Sequence, residues 1–504
     1  MKQLLILGQN IISLITPINI VLFSGCSIAG IIFGCLPGLT ASIGIALLTG
    51  FTYGVDTETA MVMLMSIYVG AIYGGSISAV LIGIPGTGSA AATVLDGNVL
   101  ARRGEAGKAL SLATIASFIG TLFGMLCLAM FTPLLLKLSL NFTSVEYTLL
   151  AIFGITICGS LTSAGEPIKG WIAGFIGLFI STIGFDSIFS YPRFTYGAIS
   201  LLGGVNFVPA MIGLFGLPAV FISLSSELKS TSASVIEKEQ NSVYSLIKEH
   251  LGLILRSGII GSFIGTIPGV GEDVAAWLSY DTAKKSSKHP EEFGNGSYEG
   301  VIAAETANNA CIGGAMIPLL SLGVPGSGPC AVLLGALTLH GIRTGPMLEI
   351  SNPGFILKMC AIIILAAFFM RFGGLLFSKI APKLLSVPTF ILMPIVGVLC
   401  VIGSYAIYVT KVDIYVMFFM GLLGYAFEKQ KYPAAPTVLG VILGSLLDSN
   451  FRRSLMASNG SLVNFVTRPI ALIILCFIAI SLFIQTDLYK RLKNNVVKTF
   501  KTKA

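Results

Sequence analysis

An all-α polytopic membrane protein is what this sequence predicts, with about 12 transmembrane helices in two inverted repeats and with broken or re-entrant helices. Three observations lead there: a shortage of charge, long uncharged runs, and a set of Pro-Gly motifs written twice. Asp, Glu, Lys and Arg make up 11% of the 504 residues, whereas a soluble domain carries about 25%. Hydrophobic residues reach 54% and mean hydropathy is +0.89. Such a surplus cannot be hidden inside a soluble globule, whose surface needs charge. A soluble enzyme, a disordered chain and a nucleic-acid-binding domain are therefore excluded.

The spans follow in order. No charged residue occurs in Gln3 to Val55, Thr59 to Leu95, Ala109 to Leu136, Phe194 to Ser226, Thr306 to Ile342, or Leu384 to Thr410. A hydrocarbon core of about 30 Å needs roughly 20 apolar residues in a helix, so several runs hold one span and a second, shorter piece. Barrel strands would alternate polar and apolar residues. Leu134 to Leu136 and Leu472 to Leu475 do not, so the spans are helices. At the amino end, Phe23-Ser24-Gly25-Cys26 resembles a lipoprotein cleavage site. The apolar run continues well past Cys26, unlike a removed signal, and residues 1–36 are expected to stay.

The nine Cys form no CxxC pair and lie mostly in apolar segments, where Cys packs as a small hydrophobe. The three His are scattered, and a packed, hydrogen-bonded role is expected for His340. No metal site and no cofactor is expected. Residues 227–250 are polar and Ser-rich, with Lys and Glu nearly balanced, and read as a linker between a first repeat (1–226) and a second (251–487). The tail (488–504) carries Lys490, Arg491, Lys493, Lys498, Lys501 and Lys503, so the C-terminus is expected in the cytoplasm. Arg102 and Arg103 are read as topology determinants in the same way.

The repetition is explicit. Gly34-Cys35-Leu36-Pro37-Gly38-Leu39 returns as Gly265-Thr266-Ile267-Pro268-Gly269-Val270, and Ile84-Pro85-Gly86-Thr87-Gly88-Ser89 returns as Val324-Pro325-Gly326-Ser327-Gly328-Pro329. A Gly-Gly pair precedes each second motif, at Gly74-Gly75 and Gly313-Gly314. Pro removes a donor and clashes with the preceding turn. Inside a membrane such a break is tolerated only where protein or a water-filled cavity satisfies the freed peptide groups. Matched breaks in two halves point to a carrier's binding site, although Gly and Pro also make ordinary kinks in membrane helices.

Neutral donors and acceptors surround the breaks: Thr40 and Ser42, then Ser76, Thr87, Gly88 and Ser89, and in the second half Asn308, Asn309 and Ser327. Half-helix N-termini and Gly-rich turns hold anions, so a carboxylate and a partly dehydrated cation both suit this equipment. Glu272 and Asp273 follow Pro268-Gly269 where the first half has Thr40-Ala41-Ser42. Intramembrane carboxylates are costly and mark function, and with Glu305 these two are the candidates for a coupling ion. Solvated acids capping the next helix, or an ion pair for Glu305, are the ordinary alternatives.

Gly70-Ala71-Ile72-Tyr73-Gly74-Gly75-Ser76, Asp96-Gly97, Ala101-Arg102-Arg103-Gly104-Glu105-Ala106-Gly107, Glu305 to Ala310, Leu322 to Ser327 and Phe451-Arg452-Arg453-Ser454-Leu455 resemble the large membrane subunit of the tripartite tricarboxylate transporter family. The resemblance covers nearly the whole chain. It implies a permease of the bacterial cytoplasmic (inner) membrane, working with a small membrane subunit and an extracytoplasmic substrate-binding protein. The substrate would be a tricarboxylate or related organic acid, imported on a gradient of Na⁺ or H⁺. The chain departs from the family pattern at Glu272 and Asp273, where small or hydroxyl residues are usual, and at Asn98, where an aromatic is usual. No GxxxxGK[ST] loop is present, so no ATPase is built in. A gated ion or solute channel with Gly-rich filter loops is the alternative; a membrane enzyme would need a nucleophile or metal cluster with visible spacing.

Overall fold

The computed structural model describes residues 2–36, 39–161, 166–186, 188–225, 243–385 and 389–485. Pro37 and Gly38, most of the polar linker and the whole basic tail lie outside the described residues. In chain order the helices are α1 (Lys2–Leu14), α2 (Pro17–Cys35), α3 (Ala41–Phe51), α4 (Thr57–Ile82), α5 (Ala91–Leu100), α6 (Ala106–Ser139), α7 (Ser144–Leu161), α8 (Pro167–Ser181), α9 (Phe207–Met211) and α10 (Leu217–Ser225). After the linker come α11 (Val243–Glu249), α12 (Leu251–Gly265), α13 (Gly271–Ser286), α14 (Tyr298–Leu322), α15 (Gly328–Leu339), α16 (Leu348–Ser351) and α17 (Phe355–Phe377). The chain continues through α18 (Ala381–Leu385), α19 (Thr389–Tyr408), α20 (Lys411–Gln430), α21 (Ala434–Ala457), α22 (Asn464–Thr467) and α23 (Pro469–Gln485). Among the described residues, four helices are long and apolar enough to cross a membrane, and shorter apolar helices accompany them. The protein is an all-α polytopic membrane protein.

Residues 1–139 and 206–426 pack as one compact unit, and 140–205 with 427–504 as a second. Each half of the sequence, on either side of the linker, contributes to both units. In the first unit the breaks expected at the Pro-Gly motifs interrupt the helices where the sequence puts them. α2 stops at Cys35 and α3 starts at Ala41; α12 stops at Gly265 and α13 starts at Gly271. α4 and α14 both end on a left-handed glycine, Gly83 (φ 72°, ψ 17°) and Gly323 (φ 72°, ψ 21°), a conformation that side chains with a Cβ avoid. The new starts are capped by hydroxyls: Thr40 accepts from the Ile43 amide and Ser327 from the Cys330 amide, both at 3.4 Å.

Backbone meets backbone in this unit. A methyl group on Gly30 or Gly34 of α2 would strike the carbonyls of Ile67 and Ala71 in α4. One on Gly261 or Gly265 of α12 would strike those of Ala307 and Cys311 in α14. The spacing is the same in both pairs: the glycines lie 7 and 3 residues before Pro37 or Pro268, and the carbonyls 19 and 15 before Gly86 or Gly326. Lipid offers no hydrophobic drive between helices, so such close small-residue contacts supply the packing energy. α6 crosses α14 likewise, through Gly120 and Gly124.

One carboxylate ties α5 to the second half. Asp96 is fully buried and its Oδ1 accepts from the amides of Gly294, Gly296 and Ser297 at 2.8–2.9 Å, while Tyr280 donates its hydroxyl to Oδ2 at 2.8 Å. In the second unit, Val145 and Leu149 of α7 pack on Ala471, Ile474 and Ile478 of α23. A short antiparallel hairpin, β1 (Gly184–Phe185) with β2 (Pro192–Arg193), follows α8. Asp186 pins it: the Phe189 amide and the guanidinium of Arg452 hold its carboxyl down at about 2.

The close approach of α12 to α14 gives a direct test. Gly261→Val puts a side chain against the Ala307 carbonyl, whereas Gly252→Val, with open space around Gly252, does not. Thermal unfolding in nanodiscs should show a loss of about 1–3 kcal/mol or more for the first and within about 0.5 kcal/mol for the second.

Candidate functional site

α4 has 26 residues, so it is about 39 Å long at about 1.5 Å per residue, enough to cross a hydrocarbon core. Tyr68 is the twelfth of them. Its hydroxyl is fully buried and donates to Glu272 Oε1 at 2.5 Å; it also lies 3.2 Å from Ser327 Oγ and 3.5 Å from Cys330 Sγ. Glu272 opens α13 and Ser327 caps α15. Both breaks of the second half therefore meet at mid-length of a first-half helix. They also touch each other, with the Gly269 amide donating to the Pro325 carbonyl at 3.3 Å.

The first-half breaks are built the same way. A methyl group on Gly86 would collide with the Gly34 carbonyl, and one on Gly326 with the Gly265 carbonyl; Gly34 and Gly265 are the matched first residues of the two repeated motifs. The halves then cross. A methyl group on Gly88 would lie 2.5 Å from Asp273 Oδ2, and one on Gly328 would lie 3.4 Å from Ser42 Oγ. In both cases the residue five places after the first Pro of one half faces the residue three places after the second Pro of the other.

The individual side chains divide. Thr40 and Ser327 cap helices, as above. Ser76 donates to the Tyr73 carbonyl of its own turn at 2.7 Å, so its hydroxyl is engaged by backbone. The Thr87 and Ser89 hydroxyls bond each other at 3.0 Å. Ser42 is buried, and no hydrogen bond reaches its hydroxyl among the described residues. Glu272 is buried, whereas Asp273 beside it is exposed. Glu305 is fully buried away from the breaks and has no ion pair: Thr93 donates to one oxygen at 2.5 Å and Ser117 to the other at 2.9 Å. Asn308 is fully buried and among the described residues neither amide atom has a partner, while Asn309 uses its Nδ2 on the Glu305 carbonyl and its Oδ1 meets no partner among them. His340 is half-buried at the end of α15, its Nε2 3.0 Å from Thr52 Oγ1.

No Lys, Arg or His occurs in residues 36–52, 83–95, 266–280 or 305–333. Among the described residues no ion pair reaches Glu272, Asp273 or Glu305. Two like unit charges 4 Å apart repel by about 4 kcal/mol at an effective dielectric constant of about 20. An anion held about 4 Å from an ionised Asp273 would feel a term of that size, and no Lys, Arg or His of the break segments offsets it. Tyr68 was not among the sequence candidates, because a lone Tyr in an apolar run signals nothing. Its register does: it lies 18 residues before Gly86, as Asn308 lies 18 before Gly326.

The description of the tripartite tricarboxylate transporter TctA family matches residues 20–439, a span that includes all four breaks and the three carboxylates. The chain belongs to the TctA family. It is thus a multi-pass membrane subunit of a tripartite tricarboxylate transporter, a system that works with partner subunits on a substrate. Two proteins of Agrobacterium vitis are similar to it. An uncharacterized 52.8 kDa protein in the TAR-I ttuC′ 3′ region is 36% identical over 463 residues, 91% of each chain. An uncharacterized protein in the TAR-II ttuC′ 3′ region is 36% identical over 211 residues, 42% of this chain and 87% of its own length. No solved structure matches this TctA chain.

The junction of Tyr68 and Glu272 is measurable in this TctA protein. Tyr68→Phe takes away a donor from a buried carboxylate and should cost about 1–3 kcal/mol of stability. In a Glu272→Leu background the same change should cost less, by about 1 kcal/mol or more in a double-mutant cycle. A coupling near zero would separate the two side chains.

Proposed function

We propose that this chain is the large permease subunit of a binding-protein-dependent secondary transporter that imports tricarboxylates or related organic acids on an ion gradient. The observation that carries the reading is the junction at Tyr68, Glu272 and Ser327, where breaks of one half close on the middle of a spanning helix of the other. Freed peptide groups and the polar side chains gathered at that depth are the equipment for holding a dehydrated solute. The substrate sits between the first-half segments (37–42 and 85–89) and the second-half segments (268–273 and 325–329), with Asn308 and Asn309 adding amide contacts. Support for two equivalent repeats comes from the paired spacing of the glycine contacts and from the crossed Gly88–Asp273 and Gly328–Ser42 approaches.

An extracytoplasmic binding protein delivers the solute and a small membrane subunit completes the assembly in the cytoplasmic membrane, with the basic tail inside the cell. The driving force is the movement of Na⁺ or H⁺, each charge contributing about 2.3 kcal/mol per 100 mV. Glu305 suits the coupling ion best. It is a fully buried carboxylate whose hydrogen-bond partners among the described residues are two hydroxyls, a set that a proton or a small monovalent cation completes.

Uptake by cells expressing all three subunits tests this. Asn308→Ala with Asn309→Ala should abolish saturable uptake, by about 100-fold or more if both amides bind in the transition between states, while membrane insertion stays intact. Normal uptake by that variant would remove the pair from the site, and flux at channel rates in the wild type would replace the carrier with a pore. Glu305→Gln should change the dependence of uptake on Na⁺ or on pH, measured against wild type under imposed gradients; an unchanged dependence would make Glu305 structural.

A further inference from the structure

The two halves equip the same position differently. At the start of α15, Gly328 faces the Ser42 hydroxyl, which is 5% exposed and makes no hydrogen bond among the described residues. At the start of the first-half counterpart, Gly88 faces the carboxylate of Asp273. Beside the amide end of α15 there is thus a hydroxyl with no hydrogen bond among the described residues, whereas the turn just before α5 has an acidic side chain standing against Gly88. Helix N-termini favour anions, so the first arrangement receives a carboxylate and the second repels one.

The two positions are neighbours. Glu272, next to Asp273 in the chain, accepts from Tyr68, and Tyr68 lies 3.2 Å from the Oγ of Ser327, next to Gly328. Gly271 also stands against Ser327, a methyl group there falling 3.5 Å from its Cβ. Asp273 is exposed while Glu272, Thr87 and Ser89 around it are buried, so its free edge is open to an incoming solute. No Lys, Arg or His in the segments forming the breaks neutralises it.

We propose that the site takes an organic acid whose carboxylate is accompanied, on the same molecule, by an ammonium group. The carboxylate sits at Ser42 and the start of α15; the ammonium sits on Asp273. This rests on the carrier reading and narrows its substrate class: an acid with carboxylates at both ends meets Asp273 with like charge, and an amino-substituted twin meets it with opposite charge.

The test uses the full chain in nanodiscs and pairs of acids that differ by one amine, read by calorimetric titration: L-aspartate against succinate, L-glutamate against glutarate, and γ-aminobutyrate against butyrate, with citrate alongside. In at least one pair the ammonium-bearing member should bind about tenfold tighter or more. Asp273→Asn should remove that preference and leave the twin as it was or tighter, and Asp273→Glu should keep it. Ser42→Ala should weaken both members of a pair by the same factor. The absence of any pair in which the ammonium-bearing member binds tighter than its twin, a preference unchanged in Asp273→Asn, or no binding by any ammonium-bearing member would overturn the proposal. Citrate or succinate binding without preference, together with gradient-driven uptake, would remove this inference and leave the carrier standing.

Discussion

A peptide group released from a helix inside hydrocarbon must find a polar partner or cost several kcal/mol. That constraint organises the first unit. The broken segments cannot face lipid, so each is pressed against backbone: Gly86 on the Gly34 carbonyl, Gly326 on the Gly265 carbonyl, the Gly269 amide on the Pro325 carbonyl. Only glycine lets main chains come so near. The rows of glycine on α2 and α12 follow from the same requirement, because they bring α4 and α14 close enough to wall in the breaks.

Polar side chains enter this frame at high stakes. In a low-dielectric interior a satisfied network is rigid and an unsatisfied one is expensive. Tyr68 and Glu272 satisfy each other, and Glu305 is held by two hydroxyls. Asn308, placed in its half as Tyr68 is in the other, has neither amide atom bonded. A fold that leaves such a group dry loses stability.

Much of this was legible in the sequence. Charge-free runs gave the membrane class, and the duplicated Pro-Gly motifs located the four breaks to within a residue or two, since Pro and Gly act locally through their own backbone. The family membership expected from motifs such as Asp96-Gly97 and Leu322 to Ser327 is what the comparison found. What sequence did not yield were relations between distant residues. Nothing local says that Tyr68 meets Glu272, that Ser117 joins Thr93 on Glu305, or that Ser42 faces Gly328; these follow from how helices cross. Ser76 carries the opposite lesson: a hydroxyl beside a break reads as a ligand, but its own turn supplies a carbonyl at 2.7 Å. The division into two compact units also escaped a linear reading, because each draws on both halves of the chain.

The Asp96 clamp bears on how the molecule is made. Its three amide partners lie 198 to 201 residues downstream, and its Tyr280 partner is nearly as far. A ribosome adds those residues many seconds after Asp96 has left the exit tunnel, at roughly 5–20 residues per second. Until then Asp96, in the middle of α5, lacks the partners that hold its carboxylate in the folded protein. The contacts of Asp96 are therefore completed only after residues 280–297 have been made.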